Sequence, residues 1–294
     1  MLGGCLVRAK SGGRANQRVG GWVLVTGASA GIGTELARAF AARRYDLVLA
    51  ARNETALQAL GRELAANYAV KVKTAPVDLS LAGAPEALAE ARAAAGVEVG
   101  VLVNNAGVLS EGPFAAGAID GLINLLQVNV VALTALARLF VQPMVARGEG
   151  RILNVASIAA FMPVPDLAVY AASKAYVLSM TEALGVELSG TGVAATALCP
   201  GLTDTAMVRR SRLGRAPPLM TMTAKAVAEA GCAACLRGDA IVVPGIANRL
   251  VTGGAPLAPR ALVRAIGGAL RNGGFERLAG ALQALAPAGE RGKG

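Results

Sequence analysis

Histidine is absent from this 294-residue chain, and cysteine occurs four times. Without histidine there can be no histidine-based catalytic triad and no histidine metal site, and no metal is expected. Cys5, Cys199, Cys232 and Cys235 are scattered through a chain too large to need disulfide staples, which fits a reducing compartment such as the cytoplasm. Cys232 and Cys235 have redox-motif spacing but fall in a predicted helix without a thioredoxin-like setting, so they are read as packing residues. Aromatic residues make up 3% of the chain and show no interleaving with basic ones, so nucleic acid is not an expected partner. Charged residues are 16% against 54% hydrophobic, which excludes a disordered protein. No uninterrupted apolar run reaches the roughly 18 residues of a membrane-spanning helix. The opening Met1–Arg8 stretch places its basic residue after a very short apolar segment, the reverse of a signal peptide.

The charge that is present is one-sided and local. The net formal charge is +10. Residues 1–20 carry Arg8, Lys10, Arg14 and Arg18 with no acid, and residues 207–225 carry Arg209, Arg210, Arg212, Arg215 and Lys225 with none. Residues 249–294 hold seven basic residues against Glu276 and Glu290, which leaves the rest of the chain acidic on balance. Anionic ligands or lipid headgroups suit such segments.

Between these ends, apolar runs of strand length alternate with helical patterns. Residues 1–20 read as a flexible basic extension, 21–250 as one folded domain, and 251–294 as a tail. Trp22–Thr26 is a buried-strand pattern followed by Gly27-Ala-Ser29-Ala-Gly31-Ile32-Gly33 and a helical run over 34–43. Small residues there let a phosphate approach the backbone, and helix-end N–H groups receive it, which is how a dinucleotide is held. Strands are predicted near 46–52, 69–77, 101–103, 151–155, 193–198 and 240–243, and helices over 54–67, 84–95, 115–147, 168–189 and 224–236. A disturbance of the long helix is expected near Gln142-Pro143. The alternation predicts an α/β fold, a doubly wound, mainly parallel sheet with ligands across its carboxyl edge.

Several residues fall at that edge. Arg52 follows the second strand, 19 residues beyond Gly33, where a nicotinamide-dinucleotide site would use an acid on the adenosine ribose. A guanidinium there suits a 2′-phosphate, so NADP(H) is expected over NAD(H), unless Arg52 merely caps the strand beside Asn53. Asp78 and Leu79 end the third strand where an adenine edge could lie, or Asp78 is a helix cap. The fourth strand ends in Asn104-Asn105-Ala106-Gly107, whose small residues let backbone approach a ligand while the Asn side chains tie down the turn. Ser157 leaves the fifth strand, and Tyr170 and Lys174 share one face of the following helix. An ammonium beneath the phenol favours phenolate and brings its proton transfer toward neutral pH. Phe161, Met162, Pro163, Val164, Pro165 and Met207 could line an apolar pocket.

Taken together, Thr26–Gly33, Asn104–Gly107, Asn129, Ser157, Tyr170-x-x-x-Lys174 and Pro200-Gly201-x-x-x-Thr205 resemble the short-chain dehydrogenase/reductase family over about residues 21–250. The resemblance implies a Rossmann-type domain and hydride transfer between NADP(H) and a ketone, aldehyde or alcohol. It implies that Gly27, Ser29, Gly31, Ile32 and Gly33 hold the pyrophosphate, and that Asp78 and Leu79 lie by the adenine. Asn104, Ala106 and Gly107 would support the cofactor region, and Pro200, Gly201, Thr203 and Thr205 would flank the carboxamide. Ser157 would polarise the carbonyl, Tyr170 donate the proton, Lys174 hold the nicotinamide ribose and tune Tyr170, and Asn129 hold a relay water. Thr203 stands where the family often has an aliphatic residue. The resemblance further implies a substrate lid over 205–223 and a homodimer or homotetramer. The C-terminal tail mixes apolar and basic segments, as a surface helix at a membrane or a partner subunit would. A dinucleotide-binding regulator without turnover is the competing reading, against which the intact Ser157, Tyr170 and Lys174 set argues.

Overall fold

A computed structural model describes residues 19–211 and 221–254, together with Ala261. The extension at 1–18, the centre of the expected lid at 212–220 and nearly all of the tail beyond 254 lie outside the described residues.

Parallel strands covered on both faces can be apolar at every position, and the sequence's apolar runs fold accordingly. Trp22–Thr26 forms β1, Leu47–Ala51 β2, Val72–Pro76 β3, Val99–Asn104 β4, Gly150–Val155 β5 and Val193–Leu198 β6. Thr203–Asp204 (β7) and Met222–Thr223 (β8) pair as a small separate ribbon, and Ile241–Val242 is β9. The main sheet runs β3-β2-β1-β4-β5-β6-β9 with every neighbouring pair parallel. Its crossovers include α1 (Gly31–Ala42), α2 (Glu54–Tyr68), α3 (Ala84–Ala94), α4 (Ile119–Leu126) continued by α5 (Leu133–Arg147), and α6 (Ala168–Glu187). The short α7 (Ala206–Arg209), then α8 (Ala224–Arg237) and α9 (Ile246–Gly254) follow.

The pleat sends alternate side chains to opposite layers. Val23, Val25, Val101 and Val103 pack with Leu36, Phe40, Leu57 and Val227 on one face. Leu24, Leu102 and Ile152 pack with Leu88, Leu136, Phe140 and Met144 on the other. Cys232 and Cys235 lie fully inside the first of these cores, and burial pushes the Cys232 thiol up to about 12, so both pack rather than react.

Two local expectations are corrected. First, α1 begins at Gly31, three residues before the predicted start, so the glycine turn supplies the helix's first turn. Second, the long helix passes straight through Pro143, while its irregularity is a π-turn at Gln127–Ala132. Burial of Asn129 at that point, with its amide spent on Val108 and Ser173, sets the distortion there. The helical stretch Ile119–Arg147 is long and apolar enough to cross a membrane by length and composition, although Gln127, Asn129 and Arg138 interrupt its apolar run. Its Leu125, Leu133, Leu136, Phe140 and Met144 are nonetheless buried in the fold, as in a core helix.

Candidate active site

Strand order reverses between β1 and β4, so their carboxyl ends diverge and open a crevice there. The cleft at this edge has a volume of about 710 Å³.

At one end lies the glycine turn. Gly27 and Gly31 have φ of 64° and 59°, the left-handed region that glycine enters without a Cβ penalty. A Cβ on Gly33 would stand 2.2 Å from the Gly27 carbonyl oxygen, so the turn closes only with glycine there. No side chain caps α1, whose N-cap is Ala30, so its first N–H groups remain for an anion. Gly27, Ser29, Gly31 and Ile32 face the cleft, and Gly33 stands behind them.

The turn is clamped by Thr26, which was not expected at the site, and by Asn105, one of the two amides expected to tie down the 104–107 turn. Thr26 Oγ donates to the Val103 carbonyl (3.2 Å) and accepts the N–H groups of Asn105 and Ala106 (both 3.0 Å). Asn105 Nδ2 donates back to the carbonyls of Thr26 (2.9 Å) and Gly27 (3.2 Å). Asn104 does not line the cleft; it points into the core and donates to Asn154 Oδ1 (3.0 Å), which belongs to a ladder continued by Asn154 Nδ2 to Thr181 Oγ (2.9 Å).

Beyond β2 stand Arg52 and Asp78. Asn53 caps α2, accepting the Ala56 N–H at 3.0 Å, while Arg52 lines the cleft. Asp78 caps no helix, since α3 begins at Ala84 behind Gly83. Its Oδ1 accepts the N–H (3.0 Å) and hydroxyl (2.8 Å) of Ser80, and it also lines the cleft with Leu79. Those Ser80 hydrogen bonds, followed by the nearby Arg52 charge, hold the Asp78 carboxyl below the usual range.

The other end gathers Ser157, Tyr170 and Lys174. Ser157 caps a short turn over Ile158–Phe161, its Oγ accepting the Ala159 N–H at 3.1 Å. Helix α6 places Tyr170 and Lys174 one turn apart, with Lys174 Nζ 5.8 Å from the centre of the phenol ring. Lys174 is 4% exposed and donates to the Val155 carbonyl at 2.8 Å. Asn129 stands behind, outside the cleft wall: a Cβ on Gly107 would lie 3.3 Å from Asn129 Oδ1 and 3.5 Å from Lys174 Nζ. Ser173 joins the two helices, accepting from Asn129 Nδ2 (3.2 Å) and donating to the Tyr170 carbonyl (2.7 Å).

The electrostatics differ from the expectation of a phenol drawn toward neutrality. Burial raises the Tyr170 pKa, with a hydrogen bond from Ser157 acting weakly the other way. Burial also lowers Lys174 to about 8, partly opposed by the Cys199 sulfur. Desolvation penalises the charged form of each group and is the largest cause at both. Cys199, buried beneath Ser157 and Lys174, is pushed up to about 12.

Pro200, Gly201, Thr203 and Thr205 complete the wall, with Thr203 Oγ donating to the Gly201 carbonyl at 3.0 Å. Thr205 caps α7 by accepting the Val208 N–H at 3.3 Å, and its methyl lies 3.1 Å from where a Gly31 Cβ would be. Of the six residues expected to form an apolar pocket, Met207 alone lines the cleft, joined by Leu109 and Val208. Phe161 instead packs with Val177, Ala197 and Cys199, because the 158–161 turn folds its ring toward the core.

A site fit for a phosphate-bearing dinucleotide is thus joined to a hydroxyl, a phenol and an ammonium. Similarity to known proteins runs parallel. The family model for short chain dehydrogenase matches residues 21–216. The very-long-chain 3-oxoacyl-CoA reductase of Rattus norvegicus is 32% identical over 220 residues, 73% of this chain and 70% of that protein. Ketoacyl reductase HetN of Nostoc sp. is 35% identical over 210 residues, 71% of this chain and 72% of that protein. The match to the very-long-chain 3-oxoacyl-CoA reductase of Phaeosphaeria nodorum, 34% identical, spans 56% of that protein's length. Among solved structures, a short-chain dehydrogenase from Sphingobium yanoikuyae in complex with NADPH superposes with a TM-score of 0.70 at 29% identity, over 93% of this chain and 98% of that one. The chain belongs to the short chain dehydrogenase family.

Proposed function

We propose that the protein is an NADP(H)-dependent oxidoreductase that interconverts a ketone or aldehyde and an alcohol, and that its substrate is apolar and acyl-like. The observation that carries this reading is one cleft with Arg52 and the glycine turn at one end and Ser157, Tyr170 and Lys174 at the other. The wall of Leu109, Met207 and Val208 supports an apolar substrate, as does similarity to 3-oxoacyl-CoA reductases. Arg52, free of hydrogen-bond partners among the described residues, suits the 2′-phosphate, and the NADPH complex of the Sphingobium yanoikuyae relative supports the same choice.

NADPH, when bound, supplies the hydride; the chain orients the substrate and moves the proton. Ser157 Oγ accepts the Ala159 N–H and stands beside the Tyr170 hydroxyl, so its own proton can turn from Tyr170 to the substrate carbonyl oxygen. Tyr170 donates its phenolic proton to that oxygen as negative charge develops. Its raised pKa keeps it protonated through the neutral range, as a general acid requires. Lys174 then faces the phenolate and stabilises it, held in place by the Val155 carbonyl. Asn129, beside Gly107 with its amide engaged by Val108 and Ser173, flanks the route by which water returns a proton. Alcohol oxidation uses the same groups in reverse.

The protein is further proposed to self-associate. Ile119 and Ile123 on α4, Val131 on the π-turn, and Tyr176 and Val186 on α6 are exposed, an apolar surface of the kind a second copy covers.

The decisive assay is NADPH consumption with a panel of acyl, aromatic and small ketones, with Tyr170→Phe as control. Turnover is expected to fall by about 10²–10⁴-fold in the variant with NADPH affinity nearly unchanged. Undiminished turnover would remove Tyr170 from the chemistry; tight NADPH binding without any turnover would favour a cofactor-binding regulator.

A further inference from the structure

Helix α9 is inside out. Asn248 and Thr252 face the protein, while Ile246 (77% exposed), Leu250 (73%) and Val251 (49%) face outward. The inward polar face is fully occupied. Asn248 Nδ2 donates to the Pro244 carbonyl at 2.7 Å, and Thr252 Oγ donates to the Asn248 carbonyl at 2.9 Å. A Cβ on Gly201 would meet the Asn248 amide at 2.4 Å, so the helix is seated tightly on the turn that walls the cleft. It also packs on the Ile158–Phe161 turn that follows Ser157. Hydrophobic burial normally turns such a helix the other way, so its outward face is built to meet another apolar phase.

The charge around this face identifies that phase. Arg249 is exposed on α9 between Ile246 and Leu250, anchored through Nε to the Val243 carbonyl at 3.0 Å. From α9 onward the sequence carries seven basic residues and two acidic ones, and residues 207–225, which begin at the half-exposed Met207, carry five basic residues and no acid. An exposed apolar helix face that carries an arginine and leads into a basic stretch of sequence complements an anionic lipid surface.

We infer that α9 docks the protein on an anionic bilayer, with Ile246, Leu250 and Val251 entering the headgroup boundary and Arg249 meeting lipid phosphates. The inference does not depend on the proposed reaction. It places the Gly201 side of the cleft at the membrane, where an apolar substrate would be concentrated.

Flotation of the full chain with phosphatidylcholine vesicles, and with vesicles that also contain phosphatidylglycerol, tests the assignment. The wild type is expected to float with the anionic vesicles and to detach at high salt. Ile246→Ser/Leu250→Ser is expected to weaken that partition at least about tenfold while NADPH affinity, read by titration, stays unchanged. Wild-type protein that stays at the bottom of the gradient, or a double variant that floats like wild type, would overturn the inference. So would a double variant that changes molar mass by light scattering with no change in vesicle binding, since a second copy of the chain would then be what covers the face.

Discussion

Replacing Lys174 with methionine should abolish turnover and, at neutral pH, stabilise the protein. The ammonium is 4% exposed and burial lowers its pKa to about 8 from 10.5. At pH 7 the folded chain must hold a charge it disfavours, and the shift corresponds to about 3 kcal/mol of lost stability. Methionine has similar length and no charge, so it removes that cost. It also leaves the Val155 carbonyl without its 2.8 Å donor, a loss of about 1 kcal/mol. The net expectation at pH 7 is a gain of about 2 kcal/mol for Lys174→Met. The sign with pH follows from linkage. Between about pH 8 and 10.5 the unfolded lysine binds more protons than the folded one, so the wild type recovers stability as pH rises, and the variant cannot. By about pH 9.5 the advantage of the variant should shrink to near zero, because roughly 2 kcal/mol of the wild type's penalty has been relieved. Urea unfolding of both proteins at the two pH values reads the difference, and other titrating groups such as Cys199 largely cancel in it. A variant equally destabilised at both pH values would refute the reasoning, because it would mean that Lys174 contributes to packing without carrying a desolvated charge.

The remaining expectations concern cofactor and proton. Arg52→Ala should weaken NADPH binding about tenfold or more and NADH binding little, measured by fluorescence titration; equal weakening of both would remove the phosphate contact. Gly33→Ala should displace the Gly27 carbonyl, 2.2 Å from the added carbon, lowering stability by about 1–3 kcal/mol in urea and weakening both cofactors alike. Activity toward a ketone should decline above about pH 8, as Lys174 loses the proton that stabilises the phenolate, and that limb should be absent from the pH dependence of NADPH binding if the ammonium acts mainly in the chemical step.

The strands were legible because each is a short apolar run, and β1 and β6 have the predicted boundaries. What escaped the sequence was fixed by distant partners. Asn104 and Asn105 are adjacent and chemically identical, yet one belongs to β4 and points to Asn154, while the next turns beyond the strand toward Thr26 and Gly27. A period of two sends neighbours to opposite sides, but spacing does not say which side meets the cleft. The π-turn was likewise hidden, since it depends on Asn129 reaching Val108, 21 residues earlier. The helical periodicity of the segment showed only that an amide was buried, and the Pro143 signal pointed to the wrong turn.

The pairing of Tyr170 and Lys174 shows the same division between pattern and environment. Four residues of spacing in a helix bring the two groups to one face, and that much follows from geometry. Their proton affinities depend on how much water the fold removes, which the spacing does not encode. Burial moves both away from charge, Tyr170 upward and Lys174 downward. In the proposed reaction a neutral phenol suits a proton donor, whereas the lysine must stay charged to serve the phenolate left behind. With a pKa of about 8 it remains protonated at neutral pH by only a small margin, so the Val155 hydrogen bond and the Gly107 approach become conditions of the chemistry as well as of packing. The cost of keeping that charge in the core is what the methionine variant measures, and it is a cost that a purely structural lysine would have no reason to bear.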